Sequence, residues 1–236
     1  MEHKPYWSGW LSKSQVKMYD KCPYAWYLER IVKAQPEERP ELSNGKNVHE
    51  ILNWVYTQKD KYSTVDELAQ QIAQHPESEK FKNQIDNFIT VLRYWTIAHP
   101  LHRELMVKDP DYAVIGVIDR VDMIDGQTYV VEYKWTFSDY NMADYQFELA
   151  LYAKMLEKQN KTIIEKGAVI FLNDGFVKTV KLTDEMKNEA IDRILQVRGK
   201  VFRSLAQNKF DKRVGRWCDY CQFKKHCNNS DSAKKD

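Results

Sequence analysis

Acidic and basic side chains stand close together on two neighbouring segments in the middle of the chain. The first segment carries Asp119 in the motif Gly-Val-Ile-Asp-Arg-Val-Asp, and the second carries Glu132 and Lys134 in the motif Glu-Tyr-Lys. Residues two apart on a β-strand share one face, so Glu132 and Lys134 point the same way and Tyr133 points to the other side. Converging carboxylates suit Mg²⁺ or Mn²⁺, and an adjacent lysine can polarise a water or stabilise transition-state charge.

A hairpin turn is expected between these two segments. Asp125-Gly126 is a strong signal for a two-residue turn, and it places Asp119 across from the region of Glu132. The same residues also fit a purely structural role, in which Glu132 and Lys134 form a surface cross-strand pair and Asp119 caps a turn. Because Glu-x-Lys is a common tripeptide and polar strand faces are normal, these residues alone leave both interpretations open.

The chain has four cysteines, and three of them cluster near its C-terminal end. Cys218, Cys221 and Cys227 have the spacing Cys-x2-Cys-x5-Cys, whereas Cys22 lies 196 residues before Cys218. Disulfides are unusual inside the cell, and independent buried thiols do not cluster in this way. Four thiolates can hold zinc or an iron–sulfur cluster, and the chemistry of the thiols does not decide between the two.

Composition excludes several classes of protein. No segment approaches the roughly 18 apolar residues of a membrane span, and the N-terminus lacks the apolar core of a secretion signal. We therefore expect a soluble, intracellular, cytoplasmic protein with no membrane partner. The net charge is only +2, but residues 198–227 hold nine Lys/Arg and two acids. Such a segment can contact phosphates or form a solvated face.

The elements that must position these residues change in type along the chain. Ser12 and Thr64 are expected N-caps, and Pro23 is expected to disturb the first helix. A polar loop is predicted over residues 34–45 and a frayed tail over 228–236. Helices are predicted over residues 11–31, 45–58, 64–75, 77–98, 140–158 and 183–206, and strands over 101–109, 112–124, 127–135, 165–173 and 176–182. This order predicts an α/β fold with a mixed β-sheet flanked by helices.

Taken together, these motifs resemble the PD-(D/E)xK nucleases, and more narrowly their RecB-like branch. The resemblance rests on Gly-x-x-Asp-x-x-Asp followed by Glu-x-Lys, and on His49 in a Gly-x-x-x-His context. It implies a restriction-endonuclease-like core and a metal-dependent DNA nuclease. The implied ligands of Mg or Mn are His49, Asp119, Glu132 and the backbone carbonyl of Tyr133. Lys134, acting with Asp119 and Glu132 as the catalytic set, would assist the attacking water.

A later helix partly matches the branch pattern Gln-Leu-x-x-Tyr-Ala. Tyr152 fits, but Glu148 stands where the family has glutamine, and Gln146 is two residues away on another helix face. We expect Glu148, Tyr152 and Gln146 to contact DNA or to support the metal ligands, with Glu148 either adding a ligand or weakening DNA binding. Trp135 follows Lys134, where the family has threonine, and we interpret it as a packing residue.

The cysteines match a second feature of the same branch. A Cys-Pro pair in a helix that begins Leu-Ser-x-Ser, with a terminal Cys-x2-Cys-x5-Cys, resembles the arrangement in AddB nuclease domains, CRISPR-adaptation nucleases and exonuclease V. The resemblance implies a [4Fe-4S] cluster on Cys22, Cys218, Cys221 and Cys227. Aromatic residues among these cysteines are expected to shield the cluster from water: Trp217, Tyr220 and Phe223.

These features predict one RecB-like nuclease domain over residues 1–236, with a helical lobe at about 43–99 and a nuclease core at about 100–206. We expect an exonuclease on single-stranded DNA or DNA ends, acting in recombination, repair or CRISPR adaptation. No helicase motif is present, so unwinding would need a helicase, and a CRISPR-adaptation integrase is a further expected partner. The alternatives are an iron–sulfur DNA-binding subunit with little activity of its own, and a zinc-stabilised interaction protein.

Overall fold

β-Branched and aromatic segments in the middle of the chain form a five-stranded sheet. In a computed structural model, which describes residues 7–37, 40–95 and 97–227, the strands lie in the order β1-β2-β3-β4-β5. β2 and β3 are antiparallel, β3 and β4 are parallel, and β4 and β5 are antiparallel, so the sheet is mixed as predicted. The strands are β1 His102–Asp109, β2 Val114–Ile124, β3 Gln127–Lys134, β4 Lys166–Phe171 and β5 Phe176–Lys181.

The described part of the chain contains seven α-helices. The predicted caps are present, since Ser12 accepts from the Gln15 amide at 3.4 Å and Thr64 accepts from the Glu67 amide at 3.1 Å. None of the described helices is long and apolar enough to cross a membrane. The helices are α1 Lys13–Lys21, α2 Pro23–Tyr27, α3 Pro40–Gln58, α4 Val65–Ile72, α5 Lys82–Trp95, α6 Met142–Asn160 and α7 Asp184–Gln207.

Three helix boundaries differ from the sequence prediction or refine it. The first predicted helix is divided at Cys22, directly before Pro23, as the expected disturbance implied. The polar loop predicted to reach residue 45 ends earlier, because α3 already begins at Pro40, where a proline at the first helical position has a suitable fixed φ. α5 begins at Lys82 and not at residue 77, after a short 3-10 turn. The predicted tail at 228–236 lies outside the described residues.

The chain divides into two compact units. The terminal unit comprises Met1–Pro40, Asp109–Ile115 and Ile191–Asp236, and the core unit comprises Glu41–Lys108 and Gly116–Ala190. The division that we predicted from the sequence, with a helical lobe at 43–99 and a nuclease core at 100–206, stays a prediction.

Trp26 organises the interior of the terminal unit. Its ring is fully buried and packs against Trp7 at 5.5 Å, Tyr19 at 5.8 Å and Phe210 at 6.1 Å between ring centroids. The Tyr19 hydroxyl lies 2.8 Å from the Ser204 hydroxyl, so residues from both ends of the chain meet in one aromatic core. Burial of each large aromatic side chain stabilises such a core by about 1.5–3 kcal/mol.

The core unit buries one face of its sheet under α3, α4 and α5. Val131 and Tyr133 of β3 belong to that hydrophobic cluster, together with Phe88 of α5. The Tyr133 ring meets the Phe88 ring edge-on at 5.6 Å. Because strand residues alternate between faces, Glu132 and Lys134 are directed to the other side of the sheet, as predicted.

A fully buried arginine connects β2 to α3 in the core unit. Arg120 Nε donates to both carboxylate oxygens of Asp122 at 2.8–2.9 Å, and Arg120 Nη1 donates to the Tyr56 hydroxyl at 2.7 Å. Arg120 and Asp122 are 0% exposed. Burial alone would lower the pKa of Arg120, but attraction to Tyr56 and Asp122 raises that pKa well above its ordinary value. The guanidinium therefore stays charged inside the protein.

We expect Asp122→Ala to destabilise the protein by about 3–5 kcal/mol, because it leaves a buried guanidinium without its carboxylate. Urea denaturation would measure the loss. The matched control is Asp66→Ala, which breaks the ion pair with Arg93 between side chains that are 74% and 56% exposed. Solvent already screens that pair, so its loss should be much smaller. Equal losses in the two variants would contradict the assigned role of Arg120.

Candidate functional site

Asp119 lies where the regular pairing of β2 and β3 ends. The antiparallel register runs from Ile124–Gln127 to Arg120–Val131, and Asp125 and Gly126 have φ of 49° and 74°, as the predicted tight turn requires. Beyond the last pair, the Asp119 carboxylate accepts a hydrogen bond from the Tyr133 amide at 2.9 Å. The Asp119 side chain therefore binds the backbone amide of Tyr133, and this hydrogen bond fixes the Asp119 carboxylate beside β3.

Three side chains of the core unit form a group that could hold a metal ion. His49 from α3, Glu104 from β1 and Asp119 from β2 each offer a ligand atom, and these atoms all lie within 4.8 Å of one another. His49 Nδ1 is 3.9 Å from the Asp119 carboxylate, and the His49 ring packs edge-on against Tyr133 at 5.3 Å. The two carboxylates suit a hard cation such as Mg²⁺ or Mn²⁺, and the imidazole also suits transition metals.

Glu104 is the functional candidate that the sequence analysis missed. It is exposed on β1, and its φ of 43° lies in the left-handed region that a residue with a Cβ rarely adopts. Such backbone strain costs about 1–3 kcal/mol and is concentrated at functional sites. The sequence offered one signal, an acid on the strand before the Asp119 segment, but an exposed strand acid is too common to single out.

Lys134 lies between two buried carboxylates on the sheet face that α6 covers. Its Nζ donates to Glu132 at 2.9 Å and to Glu148 of α6 at 2.6 Å. Glu132 and Glu148 are each 2% exposed, so this is an internal charge cluster and not the surface cross-strand pair considered above. Within the described residues, the metal-capable group includes Glu104 and does not include Glu132, whose carboxylate binds Lys134 instead.

Other residues singled out in the sequence have separate surroundings. Tyr152 is buried against Gly116, where an added Cβ would overlap the Tyr152 ring. Trp135 packs against the hydrophobic cluster, as interpreted from its sequence position. Gln146 is exposed on α6, which agrees with its expected place on another face from Glu148. A role for Gln146 or Tyr152 in DNA binding stays a prediction.

The four cysteines meet in the terminal unit. Cys22, Cys218, Cys221 and Cys227 are thiols outside any disulfide, each partly buried, and all four line one cavity of about 410 Å³. Burial raises the pKa of the Cys227 thiol, the nearby Lys212 lowers it, and the other three thiols raise it further. The four sulfur atoms are therefore close enough to influence one another across one shared space.

The three aromatic residues among these cysteines differ in exposure. Phe223 is 1% exposed, and Trp217 lines the cysteine cavity while its indole N–H donates to the Arg213 carbonyl at 3.0 Å. Tyr220 is 78% exposed, so the expectation that it shields the cysteines is wrong. The short 3-10 turn that holds it, Arg216–Tyr220, directs this side chain to solvent.

Comparison with known proteins agrees with this geometry. A CRISPR-associated exonuclease Cas4 from Francisella tularensis subsp. novicida (strain U112) is 27% identical over 160 residues, which cover 67% of this chain and 78% of that protein. The crystal structure of a candidate exonuclease from Eubacterium rectale superposes with a TM-score of 0.61 at 15% identity, covering 100% of this chain and 95% of that one. That likeness shows the fold, which is restriction-endonuclease-like.

The sequence pattern of a nuclease superfamily extends over almost the whole chain. It matches residues 10–228, a range that contains the metal-capable group, the Lys134 cluster and all four cysteines. A nuclease acts on a nucleic acid, which agrees with the donor set and lysine of the core unit. The chain belongs to the PD-(D/E)XK nuclease superfamily.

Proposed function

We propose that this protein is a divalent-metal-dependent deoxyribonuclease whose catalytic residues lie in the core unit. One observation supports this proposal above the others, namely that His49, Glu104 and Asp119 converge within 4.8 Å. Lys134 and Glu132 lie on the strand whose Tyr133 amide binds Asp119. A DNA-binding subunit without activity would not need a metal-capable group and a lysine on adjoining strands.

We propose His49, Glu104 and Asp119 as ligands of Mg²⁺ or Mn²⁺. The resemblance implies His49, Asp119, Glu132 and the Tyr133 carbonyl, and we propose that Glu132 and this carbonyl complete the set. The donor atoms fit a hard cation, because four of these five groups offer oxygen and the fifth offers an imidazole nitrogen. When bound, such an ion stabilises negative charge on a phosphodiester and lowers the pKa of water. The Asp119 carboxylate is held in place for this role by the Tyr133 amide.

Lys134 supplies a positive charge from the protein, in addition to the charge of the bound metal ion. Its ammonium donates to Glu132 and Glu148, and its side chain remains 22% exposed, so it can also reach solvent and a phosphate. In this proposal Lys134 orients the attacking water and stabilises charge that develops on the phosphoryl oxygens. Glu132, itself a proposed ligand, keeps the ammonium beside the metal site.

We propose DNA with single strands or free ends as the substrate, and DNA recombination, repair or CRISPR adaptation as the setting. The similarity to a CRISPR-associated exonuclease supports DNA ends as the substrate and CRISPR adaptation as the setting. A helicase or a CRISPR-adaptation integrase would supply the DNA in such a setting. Digestion of end-labelled single- and double-stranded DNA with Mn²⁺ tests the proposal, because an exonuclease shortens labelled strands from an end. Absence of cleavage on every DNA form would refute it.

Lys134→Ala should reduce cleavage of single-stranded DNA by about 10²–10³-fold, the loss that follows removal of one group that stabilises transition-state charge. Mn²⁺ binding, measured by calorimetry, should weaken less than it does in Glu104→Ala, since Lys134 is not a proposed ligand and contacts the site only through Glu132. Lys154→Ala on α6 serves as the control. A Lys134→Ala protein that cleaves at the wild-type rate would contradict the assignment.

Glu104→Ala should weaken Mn²⁺ binding at least about tenfold, since even an outer-shell partner of a metal site contributes that much. Glu50→Ala is the matched control, because Glu50 is an exposed acid that lines the same cavity as His49 and Glu104. The control should bind Mn²⁺ almost as tightly as wild type. Equal affinities for the two variants would remove Glu104 from the ligand set.

For the cysteines of the terminal unit, we propose that they hold a [4Fe-4S] cluster. Four thiols around a cavity of about 410 Å³ give room for a group larger than a single zinc ion. When bound, the cluster would join Cys22 to the Cys218–Cys227 segment, which lowers the entropy of the unfolded chain. This role is structural and separate from the cleavage chemistry.

Anaerobically purified protein should contain about four irons and four sulfides per chain. Cys22→Ala should lower the iron content as much as Cys218→Ala, although Cys22 is remote in sequence, because both thiols line the same cavity. Tyr220→Ala, an exposed neighbour in the same segment, should keep its iron. Metal analysis that finds stoichiometric zinc and no iron would overturn the cluster, and full iron content in Cys22→Ala would exclude Cys22 as a ligand.

A further inference from the structure

Glu148 makes the shortest contact of the carboxylate–lysine cluster. Its Oε2 lies 2.6 Å from Lys134 Nζ, compared with 2.9 Å for the Glu132 carboxylate. Glu148 belongs to α6, whereas Glu132 belongs to the same strand as Lys134. The lysine is therefore held from two directions, by its own strand and by a helix that packs on the sheet.

The burial of Glu148 indicates that its contact with Lys134 is needed. Glu148 is 2% exposed, and a buried carboxylate is stable only when it is paired or hydrogen-bonded. A charge-assisted hydrogen bond is about twice as strong as a neutral one, so Lys134 is the partner that makes the burial tolerable. In return, the fixed helix gives the flexible four-carbon stem of Lys134 a defined endpoint.

Position also separates Glu148 from the metal-capable group. The ligand atoms that approach within 4.8 Å come from His49, Glu104 and Asp119, whereas the Glu148 carboxylate binds the lysine. Of the two roles expected from the sequence, an added ligand or a charge that weakens DNA binding, the geometry supports neither directly. It supports a contact with Lys134 that a neutral glutamine could make only in weaker form.

We propose that Glu148 is a positioning residue, which fixes the Lys134 ammonium beside Glu132 for phosphodiester cleavage and does not bind the metal. This inference rests on the proposed nuclease function. Without Glu148, Lys134 keeps the Glu132 carboxylate and the Tyr145 ring of α6 at 5.9 Å, but it loses its hydrogen bond to α6, and its partly exposed stem can turn toward solvent. Misplacement of a reacting group by about 1 Å can cost 10²-fold in rate.

The test compares three variants on end-labelled single-stranded DNA. Glu148→Ala should lower kcat by about 10²-fold, with KM for DNA within about threefold of wild type, because it affects the reacting group more than substrate binding. Glu148→Gln should recover part of kcat, since its amide oxygen still accepts from Lys134 without the charge. Mn²⁺ affinity should stay unchanged in both, which a metal ligand would not allow.

Glu157→Ala is the matched control, on the same helix. Glu157 also accepts from a buried lysine, Lys187, at 2.5 Å, and lies outside the carboxylate–lysine cluster. Its removal should destabilise the protein but leave kcat near the wild-type value. A loss of kcat in Glu157→Ala equal to that in Glu148→Ala would mean that the effect is general destabilisation, and would overturn the proposal.

A second measurement does not depend on cleavage. In metal-free protein labelled with ¹³C at lysine Cε, the Lys134 resonance can be assigned by its loss in Lys134→Ala. It should shift in Glu148→Ala and keep its position in Glu157→Ala. An unmoved resonance overturns the positioning role even if the protein cleaves DNA. If the resonance shifts in Glu148→Ala but the wild-type protein cleaves no DNA, the nuclease proposal is refuted, and with it the catalytic role of this contact.

Discussion

The buried guanidinium of Arg120 is the constraint on which the arrangement of the core unit depends. It binds Asp122 two residues along its own strand and the Tyr56 hydroxyl on α3, with no exposure to solvent. A buried charge tolerates little displacement of its partners, since a lost hydrogen bond cannot be replaced by water. α3 and β2 are therefore fixed relative to each other, and these two elements carry His49 and Asp119.

Because side chains alternate between the two faces of β3, neighbouring residues of this strand have different roles. Tyr133 packs into the hydrophobic cluster, where burial raises the pKa of its phenol well above the usual value, so the ring stays neutral. Its backbone amide holds Asp119, while Glu132 and Lys134 face α6. One strand of eight residues thus contributes to the core, orients a metal-capable carboxylate and presents a lysine.

Sequence reasoning succeeded where local chemistry determines structure and failed where tertiary contacts do. The Asp125-Gly126 turn, the Ser12 and Thr64 caps and the shared face of Glu132 and Lys134 follow from rules that need only neighbouring residues. Glu104 and the partner of Glu148 depend on which strand or helix arrives beside them. Hydrophobic periodicity in the sequence does not predict such tertiary contacts, because exposed strand acids and helical glutamates usually face solvent.

The cysteine group and the metal-capable group with Lys134 are built from different parts of the chain. Every cysteine belongs to the terminal unit, whereas His49, Glu104, Asp119, Glu132, Lys134 and Glu148 all belong to the core unit. The cost of closing a loop rises only with the logarithm of its length, by about 0.6 kcal/mol per doubling. In the proposed cluster, closing the 196-residue loop between Cys22 and Cys218 costs only about 0.6 kcal/mol more than closing a loop of half that length. The cysteines can therefore anchor a terminal segment of the chain without involving the carboxylates or Lys134, which all belong to the core unit.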